Sequence, residues 1–166
     1  MTEGKAARTL AAVIYQNFEL LDLFGPLEMF GNIVPGIKII TVAEQPGTIR
    51  SAQGPKTIAE VGFRECPPLD LILLPGGIGT IEQLNNAAML EFLRDRFLSA
   101  EVIMSVCSGS AILAKAGLLD RRRATSNKQF FRLATGQSDK VQWIAEARWV
   151  EDGPFATSSG VSAGMN

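Results

Sequence analysis

The residue best suited to chemistry in this sequence is a cysteine at the junction of a predicted strand and a predicted helix. Residues 101–106 (EVIMSV) are typical of a buried strand, and Cys107 follows them directly. Ser108, Gly109 and Ser110 are small enough to allow an immediate turn into a helix, as in a nucleophile elbow. The N–H groups and dipole of a helix N-terminus favour a thiolate, so the pattern predicts a reactive Cys107. The alternative is a buried cysteine that only packs, since free cysteine is among the most buried residue types.

The sequence contains no histidine. This excludes every mechanism with a histidine base, including Ser-His-Asp and Cys-His catalysis, and any zinc site with two histidine ligands. A catalyst built from this chain must use carboxylates, thiols, hydroxyls, amines or backbone amides.

Two adjacent glycines form a second candidate feature, because they follow an apolar run that is typical of a core strand. Residues 71–74 (LILL) end at Pro75, Gly76 and Gly77. Glycines there let backbone N–H groups approach a ligand oxygen, as an oxyanion site requires. The alternative is an ordinary tight turn. Ligands of open α/β sheets bind outside the carboxyl ends of the strands, so this turn and Cys107 are expected at the same edge.

Three carboxylates follow the first predicted strand, namely Glu19, Asp22 and Glu28. Asp22 lies between Leu21 and Leu23, a setting that removes water from the carboxyl group and raises its pKa. A carboxyl group with a raised pKa beside a thiol is a suitable proton-transfer partner. The alternative is an acidic residue that only stabilises the start of a helix.

Short apolar runs alternate with helical patterns along the chain, which indicates an α/β fold with a parallel sheet. Pro26 is expected in the first turn of the first helix, and Thr80 is expected to cap a later one. We predict strands at residues 9–15, 37–42, 71–74 and 101–106, helices near 20–30, 80–98, 109–116 and 127–134, an antiparallel ribbon at 48–63, and a hairpin at 143–158 that turns at Asp152 and Gly153.

Length and composition predict a single domain over residues 1–166, with residues 1–8 as a flexible tail. Sixteen basic and seventeen acidic residues argue against a nucleic-acid-binding surface. No apolar run is long enough to span a membrane, so a cytoplasmic protein is expected. After the last predicted strand an alternating fold requires a helix that covers the sheet. That helix is missing, so the chain is expected to be truncated after residue 166, or another chain covers that face.

Five motifs in order resemble the ThiJ/PfpI superfamily and cover the chain from about residue 9 to its end: LLDLFGPLE (20–28), LLPGG (73–77), SVCSGS (105–110), AGLLDRRRAT (116–125) and WVEDG (149–153). The resemblance implies a flavodoxin-like, doubly wound sheet of the class I glutamine amidotransferase type, usually in a homodimer. It also implies that Cys107 is the nucleophile and Asp22 its acidic partner. Ser108 and the backbone N–H groups of Gly76 or Gly77 would surround the substrate.

The form LDLFGP, with aspartate at the partner position, is similar to the isocyanide hydratase branch of the superfamily. Many relatives carry a His-Trp pair after Ala-Thr, whereas this chain has Ser126, Asn127 and Lys128 there. This departure excludes a Cys-His glutaminase or peptidase but leaves a Cys-Asp hydratase possible. The leading hypothesis is a lyase without cofactor or metal that hydrates a small electrophilic isocyanide through a thioimidate on Cys107. The alternatives are a glyoxalase- or deglycase-like enzyme for reactive aldehydes, and a non-enzymatic redox-sensing or ligand-binding domain.

Overall fold

A computed structural model describes residues 7–160 and 162–165 of the chain. The predicted tail at residues 1–8 therefore lies mostly outside the described residues. The strands are β1 (Arg8–Val13), β2 (Ile37–Ala43), β3 (Gly47–Arg50), β4 (Lys56–Ala59), β5 (Val61–Gly62), β6 (Leu71–Leu74), β7 (Val102–Val106), β8 (Arg123–Ala124), β9 (Gln142–Trp143), β10 (Trp149–Asp152) and β11 (Phe155–Ser158). The helices are α1 (Leu20–Ile33), α2 (Thr80–Gln83), α3 (Ala87–Phe97), α4 (Gly109–Lys115) and α5 (Phe131–Thr135), with a 3₁₀ helix at Ser162–Met165.

Seven strands form the central sheet in the order β10-β11-β7-β6-β1-β2-β5. All neighbours in it are parallel except the edge pair β10 and β11, so the predicted α/β class is confirmed. The chain passes from β1 to β2 on one side, whereas β6 lies on the other side of β1. Ligands bind at such a switch point, outside the carboxyl ends of the strands. The loops after β1, β6 and β7 meet at this edge.

The central strands are buried on both faces, which explains their uninterrupted apolar sequences. All four residues of β6 are buried, and so are the last four of β1. The predicted strands at 37–42 and 71–74 and the predicted helix at 109–116 are confirmed, the helix ending one residue earlier than expected. The described residues include no helix with both the length and the apolar character needed to cross a membrane.

Four local predictions need correction. Pro26 lies inside α1 rather than in its first turn, because the helix already begins at Leu20. The region 80–98 is two helices, and the side chain of Asn86 caps the second, so Thr80 is not its cap. The ribbon predicted at 48–63 is the antiparallel pair β3 and β4, and β5 then joins the main sheet. The hairpin begins at Trp149, because Trp143 instead pairs with β8.

Candidate active site

Cys107 lies in the sharp turn between β7 and α4 with a φ angle of 58°. A non-glycine residue rarely adopts this left-handed conformation, and such strain concentrates at functional sites. The surrounding backbone holds the turn in place. The Cys107 N–H donates to the Ser158 carbonyl at 3.0 Å, and the Ser126 hydroxyl donates to the Cys107 carbonyl at 3.1 Å. The predicted elbow is therefore present in the backbone, and the cysteine lies at the carboxyl edge of the sheet.

Two glycines allow this turn to fit between its neighbours. A Cβ atom on Gly76 would lie 2.6 Å from the Ser108 nitrogen and 2.9 Å from the Cys107 Cβ. A Cβ atom on Gly160 would lie 2.6 Å from the Cys107 Cβ, and the φ angle of Gly160 is also positive, at 65°. Any side chain at either position would displace the cysteine. The loops after β6 and β11 therefore confine Cys107 from both sides.

Asp22 projects from the first turns of α1 and is completely buried. Its Oδ2 accepts a hydrogen bond from the Gly76 N–H at 3.1 Å, so one glycine touches both the carboxyl group and the cysteine. Burial raises the pKa of Asp22 to about 7, against the lowering effect of the Gly76 N–H. The nearby Glu19 charge also raises this pKa, and the Cys107 thiol lowers it. The predicted upward shift of the Asp22 pKa is thus confirmed.

The Cys107 thiol lies close enough to Asp22 for each group to affect the pKa of the other. Asp22 Oδ1, however, has no partner among the described residues that meets the distance and angle limits of a hydrogen bond. The two groups are therefore neighbours in the site.

The predicted lowering of the Cys107 pKa is wrong. Burial, together with the negative charge of Asp22, raises the pKa of this thiol to about 12. Hydrogen bonds from Ser108 and Asn127 lower it but do not compensate. Helix α4 is only seven residues long, and burial and the carboxylate outweigh the N–H groups at its start. Burial and the carboxylate therefore both favour the protonated form of the thiol.

The two predicted oxyanion donors are already occupied in the resting site. Gly76 N–H donates to Asp22, as described, and Gly77 N–H donates to the Ser108 hydroxyl oxygen at 3.1 Å. The donors that lower the pKa of the thiol are instead the Ser108 backbone N–H and two side chains, Ser108 and Asn127. The substrate-binding role of Gly76, Gly77 and Ser108 stays a prediction.

Asn127 is the site residue that sequence reasoning did not assign. Its Oδ1 accepts hydrogen bonds from the Gln129 N–H at 3.0 Å and the Phe130 N–H at 3.1 Å. Because the oxygen is held by the turn that precedes α5, the Nδ2 group is the part of the amide left to face Cys107. The signal in the sequence was the absence of the His-Trp pair, which drew attention to this position without indicating a donor.

A cavity of about 370 Å³ opens above Cys107. Its wall is largely apolar, and its polar lining includes Glu19, Ser108 and Asn127; the apolar side chains are Ile78, Ile81, Phe130 and Leu133. None of the described residues that line it is a lysine or an arginine. The Glu19 carboxylate is held at the cavity by two contacts of 3.0 Å from the Gln53 amide. The cavity therefore suits a small neutral molecule and disfavours an anion.

Cys66, the second cysteine, has different surroundings and does not line this cavity. It precedes β6 and contacts the Pro67 carbonyl. Burial raises the pKa of its thiol as well, and Arg96 opposes that effect.

Comparison with known proteins agrees with this architecture. The profile of the DJ-1/PfpI family matches residues 8–166. The chain is 29% identical to isonitrile hydratase of Pseudomonas putida over 165 residues, which cover 96% of this chain and 68% of that protein. It is 31% identical to a deglycase of Thermococcus kodakarensis over 148 residues, 85% of this chain and 83% of the deglycase.

Solved structures show the same fold. A ThiJ/PfpI family protein from Pseudomonas syringae superposes with a TM-score of 0.84 at 36% identity, covering 96% of this chain and 65% of that protein. DJ-1beta of Drosophila melanogaster superposes with a TM-score of 0.85 at 16% identity, covering 96% of this chain and 85% of that one. The chain thus spans about two thirds of the length of the isonitrile hydratase and of the P. syringae protein.

Proposed function

We propose that this chain, which belongs to the DJ-1/PfpI family, is a cofactor-free, cysteine-dependent enzyme that hydrates an isocyanide to an N-substituted formamide. The observation that carries the proposal is the pair formed by Cys107, which lines a largely apolar cavity, and the buried Asp22 behind it, with Gly76 in contact with both. The similarity to isonitrile hydratase supports the same reaction.

In the first half of the reaction, Asp22 is the base. Its carboxylate takes the proton of the Cys107 thiol, and the sulfur then forms a bond to the terminal carbon of the isocyanide. The proton moves from Asp22 to that same carbon, which gives a thioimidate with a C=N bond. The substrate has added the sulfur and the hydrogen of the thiol, and Asp22 is again a carboxylate.

In the second half, Asp22 activates water. It takes one proton as the hydroxide adds to the thioimidate carbon, and it passes this proton to nitrogen. The resulting tetrahedral carbon carries the hydroxyl group, the amine and the sulfur. Its C–S bond then breaks as the hydroxyl proton returns to sulfur through Asp22, which releases the formamide. The Ser108 N–H and the Asn127 amide can stabilise negative charge on the sulfur in both halves.

The test is incubation of the purified chain with cyclohexyl isocyanide, with N-cyclohexylformamide measured by mass spectrometry. We expect formamide from the wild type and from Cys66→Ser, and a loss of at least about a hundredfold in Cys107→Ser and Asp22→Asn. A trapped intermediate should add the full mass of the isocyanide to Cys107. A folded wild type that makes no more formamide than Cys107→Ser would contradict the proposal.

The second candidate is a deglycase- or glyoxalase-like activity on reactive aldehydes, favoured by the similarity to several deglycases. It would use the same thiol as the nucleophile toward a carbonyl carbon. The same variants incubated with methylglyoxal separate the two reactions. Conversion to lactate that depends on Cys107, without formamide from the isocyanide, would favour this second candidate.

A further inference from the structure

The Glu19 carboxylate lines the cavity above Cys107 and is held there by an uncharged group. The Gln53 amide nitrogen donates to both carboxylate oxygens at 3.0 Å. The Gln53 amide oxygen accepts the Leu20 N–H at 3.0 Å, which fixes the end of the amide that faces Glu19. Gln53 therefore orients the carboxylate and leaves its negative charge in place.

The turn that carries Gln53 is attached to the loop after β1. The Ala52 N–H donates to the Phe18 carbonyl at 2.8 Å, and Ala52 also lines the cavity. Within the turn, the Ser51 N–H and hydroxyl donate to the Pro55 carbonyl at 2.9 and 2.8 Å. The backbone of this turn thus sets the place of Gln53, and through it the place of the Glu19 carboxylate.

No positive charge in the described part of the chain neutralises Glu19. None of the three ion pairs formed by the described residues includes it. Lys128 follows a residue of the cavity wall, but its ammonium group donates to the Thr125 hydroxyl at 2.8 Å and to the Ala147 carbonyl, and it does not line the cavity. The buried Asp22 adds a second negative charge when it is ionised. The charged groups nearest the cavity are therefore negative.

The wall around the carboxylate suits an organic cation. Ile78, Ile81, Phe130 and Leu133 supply apolar contact area, and Phe130 is 57% exposed. Alkylammonium groups bind where an aromatic ring and a carboxylate attract the charge and apolar side chains contact the carbon substituents. A metal ion would need several ligands, and the described residues include no group of three or more His, Cys, Asp or Glu side chains that could hold one.

We propose that this cavity selects small electrophiles that carry an ammonium group, and that Glu19 is the residue that determines this specificity. The electrophilic carbon binds at Cys107 and the ammonium group at Glu19, with the carbon chain between them against the apolar wall. The substrate class is then the ammonium-substituted alkyl isocyanides. The inference about binding stands on the cavity alone, and the inference about turnover rests on the proposed function.

The first test measures charge selectivity at Cys107 without using the proposed reaction. A Cys66→Ser background leaves Cys107 as the one thiol of the chain. It is treated with cationic 2-(trimethylammonio)ethyl methanethiosulfonate or with anionic 2-sulfonatoethyl methanethiosulfonate. The Cys107 sulfur bonds to the sulfenyl sulfur, methanesulfinate leaves with the electron pair of the broken S–S bond, and the thiol proton goes to the buffer. Mass spectrometry follows each rate, and the ratio of the two rates cancels any change in the reactivity of the thiol itself.

Glu19→Gln should lower the ratio of the cationic to the anionic rate about tenfold, because attraction of the cation and repulsion of the anion each contribute about threefold. Glutamine keeps an oxygen that accepts from the Gln53 amide. Gln53→Lys should lower the ratio as much with Glu19 unchanged, because the lysine ammonium neutralises the carboxylate.

Glu28→Gln is the matched control. It removes the same charge from the exposed side of α1, outside the cavity wall, and should leave the ratio unchanged. Ratios equal to the wild-type ratio in folded Glu19→Gln and Gln53→Lys, or an equal fall in Glu28→Gln, would overturn the inference.

The second test compares turnover of two isocyanides of the same shape that differ by one positive charge, 2-(trimethylammonio)ethyl isocyanide and 3,3-dimethylbutyl isocyanide. We expect kcat/KM to be about three- to tenfold higher for the cation, mainly through KM, and we expect Glu19→Gln to remove the difference. Charge-selective modification without turnover of either isocyanide would reject the proposed function and keep the cationic specificity. Equal turnover of both, with no charge selectivity in the first test, would reject the cationic specificity and keep the proposed function.

Discussion

Replacing Asp22 with asparagine should make the fold more stable at alkaline pH, although it removes the proposed base. The carboxyl group is completely buried, and burial raises its pKa from 3.8 to about 7. A folded-state pKa above the unfolded value means that the native state binds the proton more tightly. The bound proton therefore stabilises the folded state fully at low pH, and this stabilisation is lost as the pH rises through about 7. At pH 8.5 the ionised group therefore costs about 4 kcal/mol, from about three pH units at 1.36 kcal/mol each.

Asparagine keeps an oxygen to accept the Gly76 N–H, but its amide nitrogen takes the place of the unpartnered Oδ1. An unsatisfied buried amide costs about 1–3 kcal/mol, so the expected net gain at about pH 8.5 is 1–3 kcal/mol. At about pH 5.5 the Asp22 carboxyl group is protonated in the folded wild type. The free energy of unfolding of the wild type then rises by about 2 kcal/mol relative to that of the variant. The advantage of Asp22→Asn should therefore shrink by about that amount.

The assay is urea unfolding followed by circular dichroism at the two pH values, with Cys107→Ala in both proteins so that the thiol does not titrate. All other carboxylates are common to the two chains, so their titration cancels in the difference. A stability difference that does not change with pH, or one that grows on acidification, would refute the raised pKa of Asp22.

Three further predictions concern turnover and reactivity. If Asp22 is the base, kcat/KM for the isocyanide should fall about tenfold per pH unit below pH 7, because the carboxylate must be ionised; a flat profile from pH 5 to 8 would contradict this. Asn127→Asp keeps the oxygen that caps the turn but puts an oxygen in place of the amide donor. Alkylation of Cys107 should slow by about threefold or more, whereas a purely capping role predicts no change. Glu19→Gln should raise kcat/KM for anionic isocyanoacetate relative to neutral cyclohexyl isocyanide by about three- to tenfold, and an unchanged ratio would show that Glu19 does not select against anions.

The sequence predicted the parts of the fold that depend on local pattern. Uninterrupted apolar runs gave the central strands, and the Asp152-Gly153 pair gave the hairpin turn, where Gly153 has a φ of 58°. The errors occur where tertiary contacts decide. Pro26 was expected at the start of a helix, but packing against the sheet extends α1 by a further turn and a half ahead of it. Thr80 resembles a cap in sequence, yet its hydroxyl lies within hydrogen-bond distance of the buried Tyr15 and Ser108 hydroxyl groups.

In the candidate site, too, local sequence pattern predicted some features, and tertiary contacts decided the others. Spacing and residue type were enough to bring Cys107, Asp22 and the two glycines to one edge of the sheet, because parallel strands place their carboxyl ends together. The protonation of the sulfur was not predictable in this way. It depends on how completely water is excluded and on the distance to Asp22, and neither is encoded locally. Asn127 was missed for a related reason, since its amide acts across about twenty residues of chain and only the fold brings it to Cys107.

The raised pKa of the Cys107 thiol also bears on the choice between a catalyst and a redox sensor. Peroxides oxidise thiolates, so a sensor requires a cysteine that is ionised at rest. Here burial and the Asp22 carboxylate raise the pKa of Cys107. In the reaction that we propose, a carboxylate with a pKa of about 7 accepts the thiol proton at the moment of attack on the electrophile. This arrangement favours covalent catalysis, because Asp22, whose charge raises the pKa of the thiol, is also the base in the reaction that we propose.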